Sequence, residues 1–185
     1  MLILDDFVPF YGHDPERITQ QLREVLENQK CAALLLDFQR PGAWEIAALA
    51  KAITVLPCPV GVSELYAKEL DCPVFLPPVP PDSYVADYLK PWEGREIWLD
   101  LAPGGTVITL TKDDSHTAPL PAHEIPAGMT HKDGPLHCHY TIHPEEEKAR
   151  FKLYRTGEDL AELQEEARSL GVGKFIGLWQ ELRGL

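Results

Sequence analysis

The spacing of apolar positions divides the chain into halves of different character. The first half alternates helical and strand-like patterns. Asp14-Pro15 sets a capping residue before a proline at the first helical position. Ile18, Leu22, Val25 and Leu26 then recur on one face of an amphipathic helix. Cys31-Ala-Ala-Leu-Leu-Leu-Asp37 is a continuous apolar run closed by a charge, the pattern of a strand buried on both faces. A second helix is expected over Trp44 to Ile53 and a short strand over Pro59 to Val62. Ser63 is placed to cap a helix holding Leu65, Tyr66 and Leu70. Pro73 to Leu76 reads as another strand, and Asp82 as the cap of a helix through Tyr84, Val85, Tyr88 and Leu89. Strands and helices alternating at short intervals predict parallel βαβ units.

The second half changes pattern. Glu96–Leu101 and Thr106–Thr111 flank Pro103-Gly-Gly105 and predict a β-hairpin. Residues 112–135 are polar, rich in histidine and proline, and read as a long loop. Leu136–Ile142 and Ala149–Tyr154 flank a charged turn and predict a second hairpin. Thr156 with Asp159 resembles a capping box, and Leu160, Leu163, Ala167 and Leu170 share one helical face. Gly171 stands where a helix-terminating glycine belongs, before a last strand over Lys174 to Trp179.

Composition narrows the class. The 185 residues fit one domain, and a 44% hydrophobic content supplies a core. With 17 basic and 29 acidic side chains the formal charge is −12, which argues against nucleic acid and anionic membranes as partners. The longest apolar run, Cys31–Leu36, falls far short of the roughly 20 residues a membrane span needs. The opening residues carry Asp5 and Asp6 and no basic stretch, so they do not read as a signal peptide, and a cytoplasmic location is expected. Cys31, Cys58, Cys72 and Cys138 are widely spaced and read as thiols, not as a disulfide frame. The 17 prolines, close to twice the ~5% of average usage, stiffen the connections between strands.

Polar residues gather at the ends of several expected strands: Asp37-Phe-Gln-Arg40, Ser63-Glu64 and Gln180-Glu181. Ligands bind at the carboxyl ends of parallel strands in both barrels and open sheets. No GxGxxG or GxxxxGK[ST] motif is present to support a nucleotide site. The expected fold is therefore α/β. It is a small or partial TIM-barrel-like domain over residues 1–185, with two β-hairpins in its second half and a polar loop at 112–135. An open mixed α/β sheet is the alternative, because a complete barrel commonly takes about 250 residues.

Two segments, Ala33–Pro41 and Gly171–Leu182, resemble chitinase-like TIM barrels of glycoside hydrolase family 18 and small barrels of Gram-positive bacteria. They cover about a ninth of the chain. In that family a barrel strand ends in Asp-x-Glu after further acids at alternate positions, and the last strand carries a tryptophan that floors the sugar site. By this resemblance Asp37 falls on the aspartate, Gln39 on the catalytic glutamate and Trp179 on the terminal tryptophan. Leu35 and Ala33 replace the earlier acids. A glutamine cannot serve as general acid. The resemblance thus implies a carbohydrate ligand, with chitinase-type catalysis either absent or moved to another residue.

The candidate chemistry lies in three sets. Asp37, Glu64, Asp100 and Glu181 sit at or near strand ends, where two carboxyl groups about 5–9.5 Å apart would suit glycosidic hydrolysis. Their structural alternative is helix capping, or pairing with Arg40, Arg95 and Arg183. Gln39, Arg40, Tyr66, Tyr140, Trp179 and Gln180 are the expected substrate contacts. Trp44, Trp92 and Trp98 are further candidates for flat sugar platforms, with core packing as their alternative. Six of the seven histidines lie between His116 and His143 (His116, His123, His131, His137, His139 and His143). His137 and His139, two apart on an expected strand, would share a face and could begin a divalent metal site. Cys138 would then face away from both. No Gly-x-Ser-x-Gly elbow is present.

The leading expectation is a carbohydrate-related protein without cofactor, either a divergent glycoside hydrolase or a sugar-binding relic lacking the usual acid. A metal-dependent hydrolase using the histidines of 131–143 is the second, and a non-catalytic interaction protein the third.

Overall fold

Short leucine- and valine-rich runs that end in polar residues build the first part of the molecule. The computed structural model describes residues 1–7, 14–41, 44–68, 70–121, 124–125 and 130–177. They divide into two compact units, Met1–Leu76 with Gly94–Trp98, and Pro77–Glu93 with Leu99–Leu185.

In the first unit β1 (Leu2–Asp5), β2 (Leu34–Asp37), β3 (Val60–Ser63) and β4 (Val74–Leu76) lie side by side in chain order, followed by β5 (Ile97–Asp100). The first four are parallel: Leu2 aligns with Leu34, Leu34 with Val60, and Val62 with Val74. Leu34, Leu35 and Leu36 are essentially without solvent exposure, as an apolar run covered on both faces requires. Helix α1 (Pro15–Gln29) begins at the expected cap, where the Asp14 carboxylate accepts the Glu16 N–H at 3.0 Å. It turns Leu22 and Leu26 inward, while α2 (Trp44–Ile53) buries Leu49, Ala50 and Ile53. Ser63 precedes the short α3 (Glu64–Ala67) but does not cap it. Its hydroxyl donates instead to the Phe38 carbonyl at 2.7 Å, tying the end of β3 to the chain leaving β2. Arg95 donates to the carbonyls of Ala67, Leu70 and Cys72 at 3.2, 2.8 and 2.7 Å, and among the described residues it pairs with no carboxylate.

The second unit opens with α4 (Val85–Leu89), which starts after Tyr84, so Asp82 is not its cap. A five-stranded antiparallel sheet follows: β6 (Gly105–Thr111), β7 (Ser115–Pro119), β8 (His131–Asp133), β9 (Cys138–Pro144) and β10 (Lys148–Tyr154), in the spatial order β7-β6-β10-β9-β8. The hairpin expected at 136–154 is present as β9 and β10. The one expected at 96–111 is not. Ile97–Leu99 are almost fully buried and belong beside β4, whereas β6 pairs with β7 and β10. An apolar run covered on both faces suits the interior of the α/β sheet better than a half-exposed hairpin. The polar stretch 112–135 contributes β7 and β8. Helix α5 (Gly157–Ser169) carries the expected capping box between Thr156 and Asp159 and buries Leu160, Leu163 and Ala167. Gly171 has a φ of +98°, a conformation natural to glycine after a helix. β11 (Val172–Ile176) then runs beside β5, and the Leu101 N–H donates to the Ile176 carbonyl at 2.6 Å.

The six strands run in the order β1-β2-β3-β4-β5-β11. The fold is mixed α/β, with a sheet built on parallel strands and an antiparallel one, and no closed barrel is formed among the described residues. No helix among the described residues is long and apolar enough to cross a membrane. All four cysteines are free thiols; Cys138 is buried and the others half-buried.

Trp98 fills the centre of the first unit, fully buried, with its indole N–H donating to Glu96 Oε1 at 2.8 Å. Gly61 in β3 leaves room for that ring. A Cβ there would stand 2.6 Å from Cζ3 of Trp98 and nearer still to Cε3. Gly61→Ala is expected to destabilise the protein by about 1–3 kcal/mol through overpacking, read as a lower urea midpoint with an unchanged slope.

Candidate functional site

The parallel register delivers polar residues to one edge of the first unit. Asp5 and Asp37 close β1 and β2 as aligned partners, one strand spacing apart, and Glu64 follows the end of β3. Aligned residues on neighbouring parallel strands face the same side of a sheet, where strands lie about 4.8 Å apart. Each has a hydrogen-bond partner of its own: Asp5 accepts the Phe7 N–H at 3.1 Å and Asp37 the Gln39 side-chain amide.

Asp6, just past β1, organises the loop after β2. It is 4% exposed, and its two carboxylate oxygens accept the backbone N–H groups of Gln39 at 3.1 Å and Arg40 at 2.9 Å. The Arg40 guanidinium stands 3.7 Å from the same carboxylate. Arg40 Nη2 is buried and has no acceptor. The Gln39 side-chain amide donates to Asp37 Oδ1, and the Tyr66 hydroxyl donates to the Arg40 carbonyl. Tyr66 also meets Phe38 edge-on, with ring centroids 6.2 Å apart. Asp37, Gln39, Arg40, Glu64 and Tyr66 thus lie at the carboxyl edge of the first unit. Asp5 and Asp6 were not singled out for it. The signal was available, since Leu2-Ile-Leu-Asp5 repeats the apolar-then-acid pattern of Leu34-Leu-Leu-Asp37.

Asp100, Tyr140, His137 and His139 belong to the second unit. Asp100 ends β5 half-buried, and Tyr140 packs against His131 with ring centroids 5.3 Å apart. Trp92 and Trp98 are buried and serve packing, so neither is a sugar platform. Trp179, Gln180 and Glu181 lie outside the described residues, as does Arg183.

The two histidines do not share a strand face. His137 precedes β9 with a φ of +47°, which breaks the alternation assumed for it. Its ring lies between two carboxylates of α5, with Nε2 2.5 Å from Glu166 and Nδ1 3.4 Å from Glu162. His139, on β9, sets Nδ1 2.8 Å from Oδ2 of Asp159 and stacks on Tyr154 at 5.9 Å. Among the described residues no three His, Cys, Asp or Glu side chains are grouped as a metal ion would require.

Asp159 is fully buried. Burial alone would raise its pKa, but the Thr156 N–H and hydroxyl and the His139 ring outweigh it and hold the carboxyl below its ordinary value of 3.8. A carboxyl whose pKa is depressed on folding stabilises the fold above its ordinary pKa, and the contribution is lost as pH falls through the folded value. Stability should therefore decline below pH 3.8. Asp159→Ala should cost about 1 kcal/mol at neutral pH, as for a lost cap, and flatten that acid decline. Urea unfolding at several pH values checks both.

No family model matches the chain, and no curated protein matches it. Solved structures do. The spore cortex-lytic enzyme SleL of Bacillus megaterium QM B1551 aligns with 95% of this chain at 9% identity and a TM-score of 0.58. The chain spans 54% of that enzyme's length. YdhD of Bacillus subtilis, described as a sporulation-specific glycosylase, aligns with 95% of this chain and 78% of its own at 5% identity, with a TM-score of 0.61. The C-terminal domain of a protein described as a chitinase, from Desulfitobacterium hafniense DCB-2, gives 96% and 72% coverage, 9% identity and a TM-score of 0.52. At such identities the likeness is one of fold: the chain is folded like these glycosylase- and chitinase-type structures.

Proposed function

We propose that the chain binds carbohydrate at the carboxyl edge of its first unit and that this edge is a saccharide site without the usual hydrolytic acid. The reading pictures the unit as part of a TIM-barrel-like glycosidase scaffold. The observation that carries it is the hydrogen bond from the Gln39 amide to the Asp37 carboxylate, at the end of a parallel strand in a glycosidase-like fold. An amide at residue 39 can orient Asp37 but has no proton to give a leaving group. Asp5, Asp37 and Glu64 offer acceptors to sugar hydroxyls, Gln39 and Arg40 offer donors, and Tyr66 holds the loop that carries them. The neighbours' activities on spore cortex and chitin make N-acetylated oligosaccharides the first ligands to try.

The alignment of Asp5 with Asp37 favours a second reading, hydrolysis by that carboxylate pair. Strand spacing alone brings two such groups into the roughly 5 Å range of retaining glycosidases.

Asp37→Asn keeps the shape of the side chain and is expected to hold stability within about 1 kcal/mol while weakening oligosaccharide binding at least tenfold, about 1.4 kcal/mol. Calorimetric titration with chitotriose, beside thermal melting, separates this from a purely structural Asp37, for which the melting temperature would drop and affinity would not. Turnover of an aryl glycoside by the wild-type chain, lost in Asp5→Asn, would replace the binding reading by the hydrolytic one. Absence of any binding sinks both.

A further inference from the structure

The second unit contains an open cleft of about 820 Å³, lined by Leu101, His139, Glu158, Leu160, Ala161 and Gln164 together with the backbone around Thr156 and Gly157. Its polar groups are not used up by the fold. Among the described residues the side chains of Glu158 and Gln164 make no hydrogen bond, and the His139 ring is bonded through Nδ1 alone.

The tautomer of that ring follows from its neighbour. Asp159 is ionised at neutral pH, and a carboxylate only accepts hydrogen bonds. The proton of a neutral His139 therefore sits on Nδ1, donated to Oδ2 of Asp159, and Nε2 presents a lone pair. The buried Asp159 is itself held by the Thr156 N–H and hydroxyl, each at 2.8 Å, and stacking on Tyr154 fixes the plane of the ring. An acceptor held this firmly, in a cleft where nothing donates to it, is preorganised for a ligand.

The lining selects the ligand's chemistry. Among the described residues no cationic side chain lines the cleft and Glu158 does, which disfavours anions. Among the described residues too few ligating side chains are grouped to hold a metal ion. Leu101, Leu160 and Ala161 offer apolar surface, and one imidazole, one carboxylate and one amide stand around it. Apolar surface with a few convergent polar groups, mostly acceptors, suits an uncharged molecule with several hydroxyls and a C–H face.

We infer that this cleft is a second saccharide-binding site, in which His139 Nε2 accepts a hydrogen bond from a sugar hydroxyl. The inference rests on the carbohydrate reading of the first unit but uses none of the residues placed there. Asp159 acts as a positioning residue that sets the tautomer. Asp159→Ala removes the oxygen that accepts the Nδ1 proton and so frees the ring to carry that proton on Nε2. His139→Phe keeps the stacking surface and removes the nitrogen.

The experiment is a chitotriose titration of the ¹⁵N-labelled full chain near pH 8. The Gln39 side-chain amide reports the first unit and the His139 ring nitrogens the second. In the wild-type chain the free His139 should show a protonated Nδ1 and an unprotonated Nε2, and Nε2 should shift on titration. The affinity read at the second unit should fall at least tenfold in Asp159→Ala and in His139→Phe, with the Gln39 response unchanged. A Gln39 response without any shift at His139 overturns the second site and leaves the first standing. Silence at both reporters overturns the carbohydrate reading as well. Should either variant fail to fold, the wild-type ring shift still decides.

Discussion

Parallel, in-register pairing of β1, β2 and β3 is the constraint on which the candidate site depends. Each strand is only four residues long, so whatever follows its last apolar position emerges at the same edge. Aligning Leu2 with Leu34 and Leu34 with Val60 brings Asp5 level with Asp37. A slip of one residue would turn the leucines of β2 out of register with their cover and disperse the carboxylates. The apolar packing that stabilises the sheet and the polar edge that gives it chemistry are thus two results of one alignment.

Each unit also buries a charge, and each satisfies it with backbone. Asp6 receives two N–H groups from the loop after β2. Arg155, 5% exposed, donates to the carbonyls of Leu136, His137, Val79 and Pro80. Burying an ion without partners costs several kcal/mol, so both groups hold their loops tightly: release of the backbone would strand the charge. Asp6 thereby fixes the positions of Gln39 and Arg40, and Arg155 fixes the turn before β9, where His137 adopts its left-handed backbone.

Local signals were legible wherever a few adjacent residues decide the outcome. The Asp14-Pro15 start of α1, the Thr156–Asp159 box of α5 and the apolar run of β2 could all be read from the chain. Three features could not. Ile97–Asp100 and Thr106–Thr111 flank a turn-forming Pro-Gly-Gly sequence, yet they join different sheets, because pairing partners far along the chain outweigh a local turn. The polar strands β7 and β8 have no apolar alternation to mark them. His137 departs from strand geometry through one backbone angle, which residue order does not reveal. Of the candidate site, the residues on β2 and β3 were recognisable by pattern. Asp5 carries the same apolar-then-acid signal, whereas the part of Asp6 needed the fold, because its acceptors meet backbone N–H groups more than thirty positions away. The His139–Asp159 pair needed the fold, being twenty positions apart and on different elements.

Cys138 lies between His137 and His139, yet shares none of their exposure. Its side chain is fully buried, and burial above all pushes the thiol pKa up to about 11. At neutral pH only about one molecule in ten thousand would carry the reactive thiolate there. Alkylating reagents and mild oxidants therefore meet an inert sulfur as long as β9 keeps its cover. The residue is a built-in clock for the second unit, since the pace of its modification measures how often that part of the molecule opens to water.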